Sequence, residues 1–296
     1  MLRIALFLLT NLAVILVASI SLSLLGFDGY LQQNGVDLNL SGLLVFCAIF
    51  GMAGALISLL ISKWMAKRAM GVYIIERPRN QSEQWLVNSV AEISRKAGIG
   101  MPEVGIFESN AANAFATGWQ KDNALVALST GMLERFDEDE IEAVIGHEIG
   151  HVANGDMVTL SLIQGVVNTF VMFFARIIGH AVDRLVFRNE HGHGIGFYVV
   201  TIIAEICLGI FASMIVARFS RWREFRADAA GAELVHPQSM INALRRLQSE
   251  QQYAAGMSDE LVAFGIRADL KSGLMALLST HPPLDQRIDA LRAAYR

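Results

Sequence analysis

Residues 137–156 read DEDEIEAVIGHEIGHVANGD, and the fold class turns on this stretch. Asp137 followed three residues later by Glu140 is the pattern of a capping box, so a helix is expected to open here. That helix carries His147, Glu148 and His151. Histidines four apart lie one turn apart on the same face, so both imidazoles can reach one metal ion. The glutamate beside the first histidine can then serve as general base toward an attacking water. A chain of this composition would show the pattern by chance about 0.01 times, a small false-positive risk. The bland alternative is a pair of helix histidines that cap carbonyls or face solvent.

A catalytic zinc needs a third protein ligand and an open position. Met157 stands where the third histidine of a metzincin would fall, so the ligand must come from farther along. Glu224, within Arg223-Glu224-Phe225-Arg226-Ala227-Asp228, is the candidate. Asp228, one turn on, could orient a ligand histidine from behind. Alternatively, Glu224 pairs with its arginine neighbours on a solvated face, and spacing alone leaves the two readings level. The apolar chain between His151 and Glu224 must return to the helix that bears His147, which favours the ligand.

Of the 296 residues, 53% are hydrophobic and 18% charged, against about 45–50% and about 25% in soluble domains. Disorder and an ordinary cytosolic protein are excluded. A net charge of −4 offers no field to attract phosphate, so no nucleic-acid partner is expected. The apolar excess lies in four blocks: Ile4 to Gly26, Leu38 to Ser62, Met157 to Ala175, and Gly194 to Ala217, the last interrupted by Glu205. Each is close to the roughly 20 apolar residues that span a bilayer core. The first is too long for a signal peptide and runs into more apolar chain, which favours an uncleaved anchor. No Lys or Arg lies between the first two blocks, whereas Lys63, Lys67, Arg68, Arg77 and Arg79 follow the second and Arg218, Arg221, Arg223 and Arg226 follow the fourth. The positive-inside rule places both basic flanks in the cytoplasm. Arg176, Arg184 and Arg188 suit an outside loop less well, so blocks three and four either span fully or form a hairpin that does not cross cleanly. Cys47 and Cys207 lie inside apolar blocks and read as buried small side chains.

The expected organisation is therefore two membrane helices (4–62), the first part of a cytoplasmic domain (63–156), a hydrophobic hairpin (157–217) and the second part of that domain (218–296). Within the polar parts, Asn80 is expected to cap a helix running to about Lys96 and ended by Gly98, with Trp85, Leu86, Val90 and Ile93 on one face. Val104 to Glu108 and Ala124 to Ser129 read as strands, and helices are expected near 239–250 and 284–294. The segment Asn113-Ala114-Phe115-Ala116-Thr117-Gly118 is too rich in small residues to assign.

The His147–His151 helix, Asn154-Gly155-Asp156, the apolar hairpin and Arg223 to Asp228 together resemble the HtpX-type membrane zinc peptidases of bacteria, relatives of the CAAX prenyl endopeptidases. The resemblance runs over essentially the whole chain. It includes the start Arg3 to Val14, Ser62-Lys63-Trp64-Met65, Asn113 to Gly118, and Thr280-His281-Pro282-Pro283-Leu284-Asp285. It implies an α+β, mainly helical integral membrane protein with about four transmembrane segments and a zincin-like (gluzincin) cytoplasmic catalytic domain. It implies one Zn2+ per subunit held by His147, His151 and Glu224, with Glu148 as base. The implied activity is zinc metalloendopeptidase cleavage of misfolded or damaged membrane proteins at the bacterial inner membrane, a quality-control role in stress. It further implies an edge strand near Asn113, Ala114 and Phe115 that pairs with substrate. His281 and Arg287 would lie near the oxyanion; a helix cap and a salt bridge are the plainer readings for these two.

Three features stand apart from this. His191-Gly192-His193, with His180 nearby, offers metal-binding groups but reads first as a polar loop. His236, before Pro237, is expected to cap a helix. Glu205 should face the bundle or a water-filled cavity, because a charge is costly in lipid. The competing class is a metal-ion transporter or an inactive scaffold. Transport would need ligands at the bilayer midplane, and a scaffold would most simply have lost Glu148. The sequence carries no reading of the oligomeric state.

Overall fold

The computed structural model describes residues 20, 24, 39–189, 192–258 and 277–295. The first apolar block therefore lies outside the described residues except for Ile20 and Leu24, as does His191. Three described helices are long and apolar enough to cross a membrane: α1 (Leu40–Ala69), α5 (Asp156–Leu185) and α6 (Ile195–Leu234). The chain divides into two compact units, 1–58 with 160–216, and 59–159 with 217–296.

In the first unit the apolar parts of α1, α5 and α6 pack through small residues. A Cβ added to Gly51 on α1 would meet Thr169 of α5 at 2.7 Å, and one on Gly165 would meet Met52 at 2.7 Å. Such close backbone approach is how helices associate where no hydrophobic driving force separates them from lipid. Leu40, Leu44, Cys47, Phe173 and Ile177 form a small buried cluster. Glu205 faces α5, where Arg176 Nη1 donates to its Oε1 at 3.2 Å. An ion pair lowers the cost of a carboxylate within an apolar helix. Asp183 is buried and accepts from the backbone N–H groups of Gly194 and Phe197, holding the entry of α6. The ring of His193 packs tilted against Phe197, with centroids 4.1 Å apart, and lies 5.5 Å from that of His180.

The second unit is built on a four-stranded sheet of order β1-β2-β4-β3, comprising β1 (Tyr73–Ile74), β2 (Glu103–Phe107), β3 (Ala114–Thr117) and β4 (Leu125–Ser129). β4 pairs parallel with β2 and antiparallel with β3. All five residues of β4 are buried, which is why it reads as a continuous apolar run rather than an alternating one. Val126 and Leu128 point into the main core with Leu86, Val90, Ile145 and Ile149. Leu125 and Ala127 face the other side, against Phe107 and Phe115.

The helices start and stop where their caps dictate. α2 (Gln81–Lys96) opens on Asn80, whose side chain accepts from Glu83 N at 2.8 Å, and Gly98 just beyond its end has φ +66. After the short α3 (Thr130–Arg135), α4 (Glu138–Asn154) opens with Asp137 N–H donating to Glu140 Oε2 at 3.1 Å. Gly155 closes α4 in the left-handed region, at φ 68. α7 (Pro237–Ser258) begins with Gln238 N donating to His236 Nδ1, so His236 does cap; α8 (Leu284–Ala294) follows Pro283. The unassigned segment at Asn113–Gly118 forms β3, the edge strand, whose outer side has no strand partner among the described residues.

Candidate metal centre

α4 carries His147, Glu148 and His151 across the sheet, and the last turns of α6 lie against it. The contact is nearly bare backbone. A Cβ on Gly150 would stand 2.7 Å from the Cβ of Ala230, and one on Gly231 would stand 3.1 Å from the backbone N of His147. This close crossing lets Glu224 reach both histidines. Gly150→Val is expected to prise α4 from α6, cost about 1–3 kcal/mol as overpacking, and lower metal content. Thermal unfolding and metal stoichiometry check this; unchanged values would show that the close crossing is not needed.

His147, His151 and Glu224 are buried, and their ligand atoms all lie within 4.8 Å of one another. Glu224 Oε1 is 3.3 Å from His151 Nε2, and Oε2 is 3.6 Å from His147 Nε2. Two ligands each about 2.0–2.1 Å from a tetrahedral ion stand roughly 3.3 Å apart, close to the Glu224–histidine distances, so the group is of a size to hold a zinc-sized metal. Each imidazole is held from behind: His147 Nδ1 donates to Asp228 Oδ1 at 2.9 Å, and His151 Nδ1 donates to Asp156 Oδ2 at 2.7 Å. Carboxylates on Nδ1 fix the tautomer that leaves Nε2 free for a metal.

Asp228 is itself clamped. Arg287 of α8 donates to both its oxygens, at 2.8 and 2.5 Å, and Arg287 Nη1 lies 3.4 Å from Glu224 Oε2. His281 does not cap α8. Its Nδ1 donates to Glu224 Oε2 at 2.6 Å from an exposed position. Burial pushes the Glu224 carboxyl up, but hydrogen bonds from His151 and His281 outweigh this and hold it far below the usual carboxylate range. Burial pushes the His151 imidazole down, yet its bonds to Asp156 and Glu224 prevail and raise its pKa to about 9.

A cavity of about 560 Å3 opens beside these residues, lined by His147, Glu148, His281, Arg287, Asn113 and Ala114 among others. Phe115 does not line it. Its ring turns to the opposite face of the sheet, 5.5 Å from that of Phe107, because neighbouring residues on a strand alternate sides. Asp156 is the residue that sequence reasoning left without a role. It follows His151 by five residues, outside the three- and four-residue spacings of a helix face, and the left-handed turn at Gly155 brings it back. A glycine ending the helix with an acid directly after it was the available signal.

The model of peptidase family M48 matches residues 80–295. Over 292 residues the chain is 65% identical to Protease HtpX of Pseudomonas putida, covering 99% of each chain. It is 64% identical to Protease HtpX of Pseudomonas syringae pv. tomato, with the same coverage. The chain belongs to peptidase family M48. This M48 metallopeptidase also shares the fold of the crystal structure of S. mikatae Ste24p, with a TM-score of 0.60 at 17% identity, over 97% of this chain and 67% of that one. The mainly helical α+β fold with long apolar helices is thereby that of an M48 peptidase, and the His-His-Glu group could hold a metal ion.

Proposed function

We propose that this M48 metallopeptidase is a zinc endopeptidase of the bacterial inner membrane, with its catalytic domain in the cytoplasm. It would cleave misfolded or damaged membrane proteins as part of a stress response. The observation that carries this is the group of His147, His151 and Glu224, with both Nδ1 atoms held by carboxylates and Glu148 beside it on the cavity wall. Two imidazoles and one carboxylate are the donor set of a catalytic zinc that keeps one position open. The basic residues that follow the second and fourth apolar blocks support the cytoplasmic placement. A transporter would carry such ligands within its apolar helices at mid-membrane, whereas this group belongs to the unit that holds the sheet.

When bound, zinc supplies Lewis acidity toward the scissile carbonyl and the attacking water. The chain does the rest. Glu148 accepts the water proton and delivers it to the departing amine. Arg287, engaged with Asp228, positions His147 through that carboxylate, while His281, held to Glu224 through Nδ1, would turn its Nε2 toward the oxyanion. The apolar wall of Met132, Val144, Met240 and Leu247 suits a hydrophobic substrate side chain.

β3 is assigned to bind the substrate as an added strand. Ser129 N donates to Asn113 O at 2.9 Å, and Phe115 and Thr117 continue that register with Ala127 and Leu125. In an antiparallel ladder the intervening residues turn their backbone groups outward, so Ala114 and Ala116 offer theirs to substrate. The test is proteolysis of an unfolded protein by the purified full chain: removing metal with a chelator should abolish it and one equivalent of zinc should restore it. Ala114→Pro, which deletes one outward N–H on an edge that tolerates proline, should retain zinc and lose about tenfold or more in rate, since a hydrogen bond that holds the reacting geometry is removed. An unaffected rate would remove β3 from the substrate site.

A further inference from the structure

We infer that this protease cuts chain that follows a membrane-spanning helix, so that its substrates leave the bilayer in the N-to-C direction and reach the metal centre within a few residues. This rests on the assignment of β3 as the substrate strand, and adds to it a polarity relative to the membrane.

The two ends of β3 differ. At its start, Asn113 and Ala114 line the cavity with His147 and Glu148. At its end, Thr117 Oγ1 donates to Ser62 Oγ at 3.1 Å. Ser62 is the last residue of the second apolar block, so this hydrogen bond ties the far end of the strand to the point where α1 leaves its apolar run. The neighbouring residues have the character of a membrane interface. Lys63 donates to Asn123 Oδ1 at 2.6 Å and pairs with Glu103 of β2 at 3.0 Å; Lys67 pairs with the same carboxylate. Trp64 is 60% exposed and Trp119 41%, and exposed tryptophans beside basic residues mark the headgroup level.

The strand itself sets the length of chain that must be covered. From Thr117 to Ala114 a strand advances roughly 10 Å at about 3.4 Å per residue. β3 therefore leads from the end of the apolar run at Ser62 to the cavity beside His147 and Glu148.

Direction follows from the free edge. Ala114 and Ala116 are two residues apart and are the ones whose backbone groups turn outward. In an antiparallel partner one residue satisfies both groups of each alanine with unslanted bonds, and such pairing is the more stable per residue. On so short an edge a parallel partner has little to compensate for that loss. An antiparallel substrate enters opposite Thr117, passes Ala116 and presents the following bond near Ala114. Its N-terminal side is then the side nearest the bilayer. Since the segment must be extended across β3, a tether shorter than roughly four residues should not reach.

The experiment reconstitutes the full zinc-loaded chain in vesicles with two single-span substrates. Both carry the same unfolded reporter on the face of the catalytic domain, attached after the membrane helix in one and before it in the other. The first should be cut at least about tenfold faster, and shortening its tether from about eight residues to about two should remove that advantage. Equal rates, or the opposite preference, would overturn the polarity. A soluble unfolded protein in the same vesicles separates the two levels of the argument. If it is cut while neither tethered reporter is, the polarity falls and the peptidase reading stands; if nothing is cut, both fall.

Discussion

Glu148→Gln is expected to abolish useful proteolysis while leaving the metal content and the fold in place. Glu148 is half-buried on the cavity wall beside His147 and is not one of the three grouped ligands. Glutamine keeps its size but cannot accept the proton of an attacking water. A positioned general base contributes about 10²–10⁴-fold, and the loss should fall on kcat with little change in KM, because the carboxylate acts in the transition state. Hydrolysis of a membrane substrate measured alongside zinc stoichiometry checks this. A variant that retained both zinc and the wild-type rate would place the base elsewhere.

How much of this could be read from the sequence depended on whether the cause was local. Asn80 and Gly98 bound α2, and the Asp137–Glu140 pair opens α4, because caps act within one turn. β4 was legible because burial on both faces leaves an unbroken apolar run. β3 was not. Ala114-Phe115-Ala116-Thr117 has little strand preference of its own, and it is extended because Leu125 to Leu128 pair with it. Three of the four apolar blocks fall on helices long and apolar enough to cross a membrane, a feature of length and composition, although α6 continues well past its apolar block and carries Glu224 and Asp228 on the same helix.

The centre divides in the same way. His147, Glu148 and His151 announce themselves by spacing along one helix. Glu224 did not, since its spacing fitted a solvated arginine partner equally well. What brings it to the histidines is the bare crossing of Gly146 and Gly150 against Ala227, Ala230 and Gly231, a long-range fact with no local trace. Asp156 and Asp228 illustrate the difference between the two histidines: each holds an imidazole Nδ1, but one arrives by a turn after His151 and the other on α6. Arg287 arrives from farther still, on α8, and its bidentate hold on Asp228 turns an isolated carboxylate into a fixed acceptor.

Glu224→Gln should therefore weaken metal binding far more than the loss of a carboxylate that only supports a histidine. The carboxylate lies among His147, His151, His281 and Arg287, and it supplies the only grouped anionic ligand among the described residues. An amide of the same shape offers zinc a neutral oxygen, so purified protein should carry far less than the one equivalent expected of the wild type, and proteolysis should fall with it. Arg287 keeps its bidentate partner Asp228, so the variant should still fold, which circular dichroism can establish. Asp228→Asn provides the calibration. It leaves all three ligands and an acceptor for His147 Nδ1 but removes the counter-charge of Arg287, and loss of such an outer partner costs about 10–100-fold in metal affinity. Zinc titrations of the two variants should therefore rank Glu224→Gln well below Asp228→Asn, with the wild type above both. Full zinc stoichiometry in Glu224→Gln would mean that the third ligand is another residue. An order reversed between the two variants would mean that Asp228, and not Glu224, is the carboxylate on the metal.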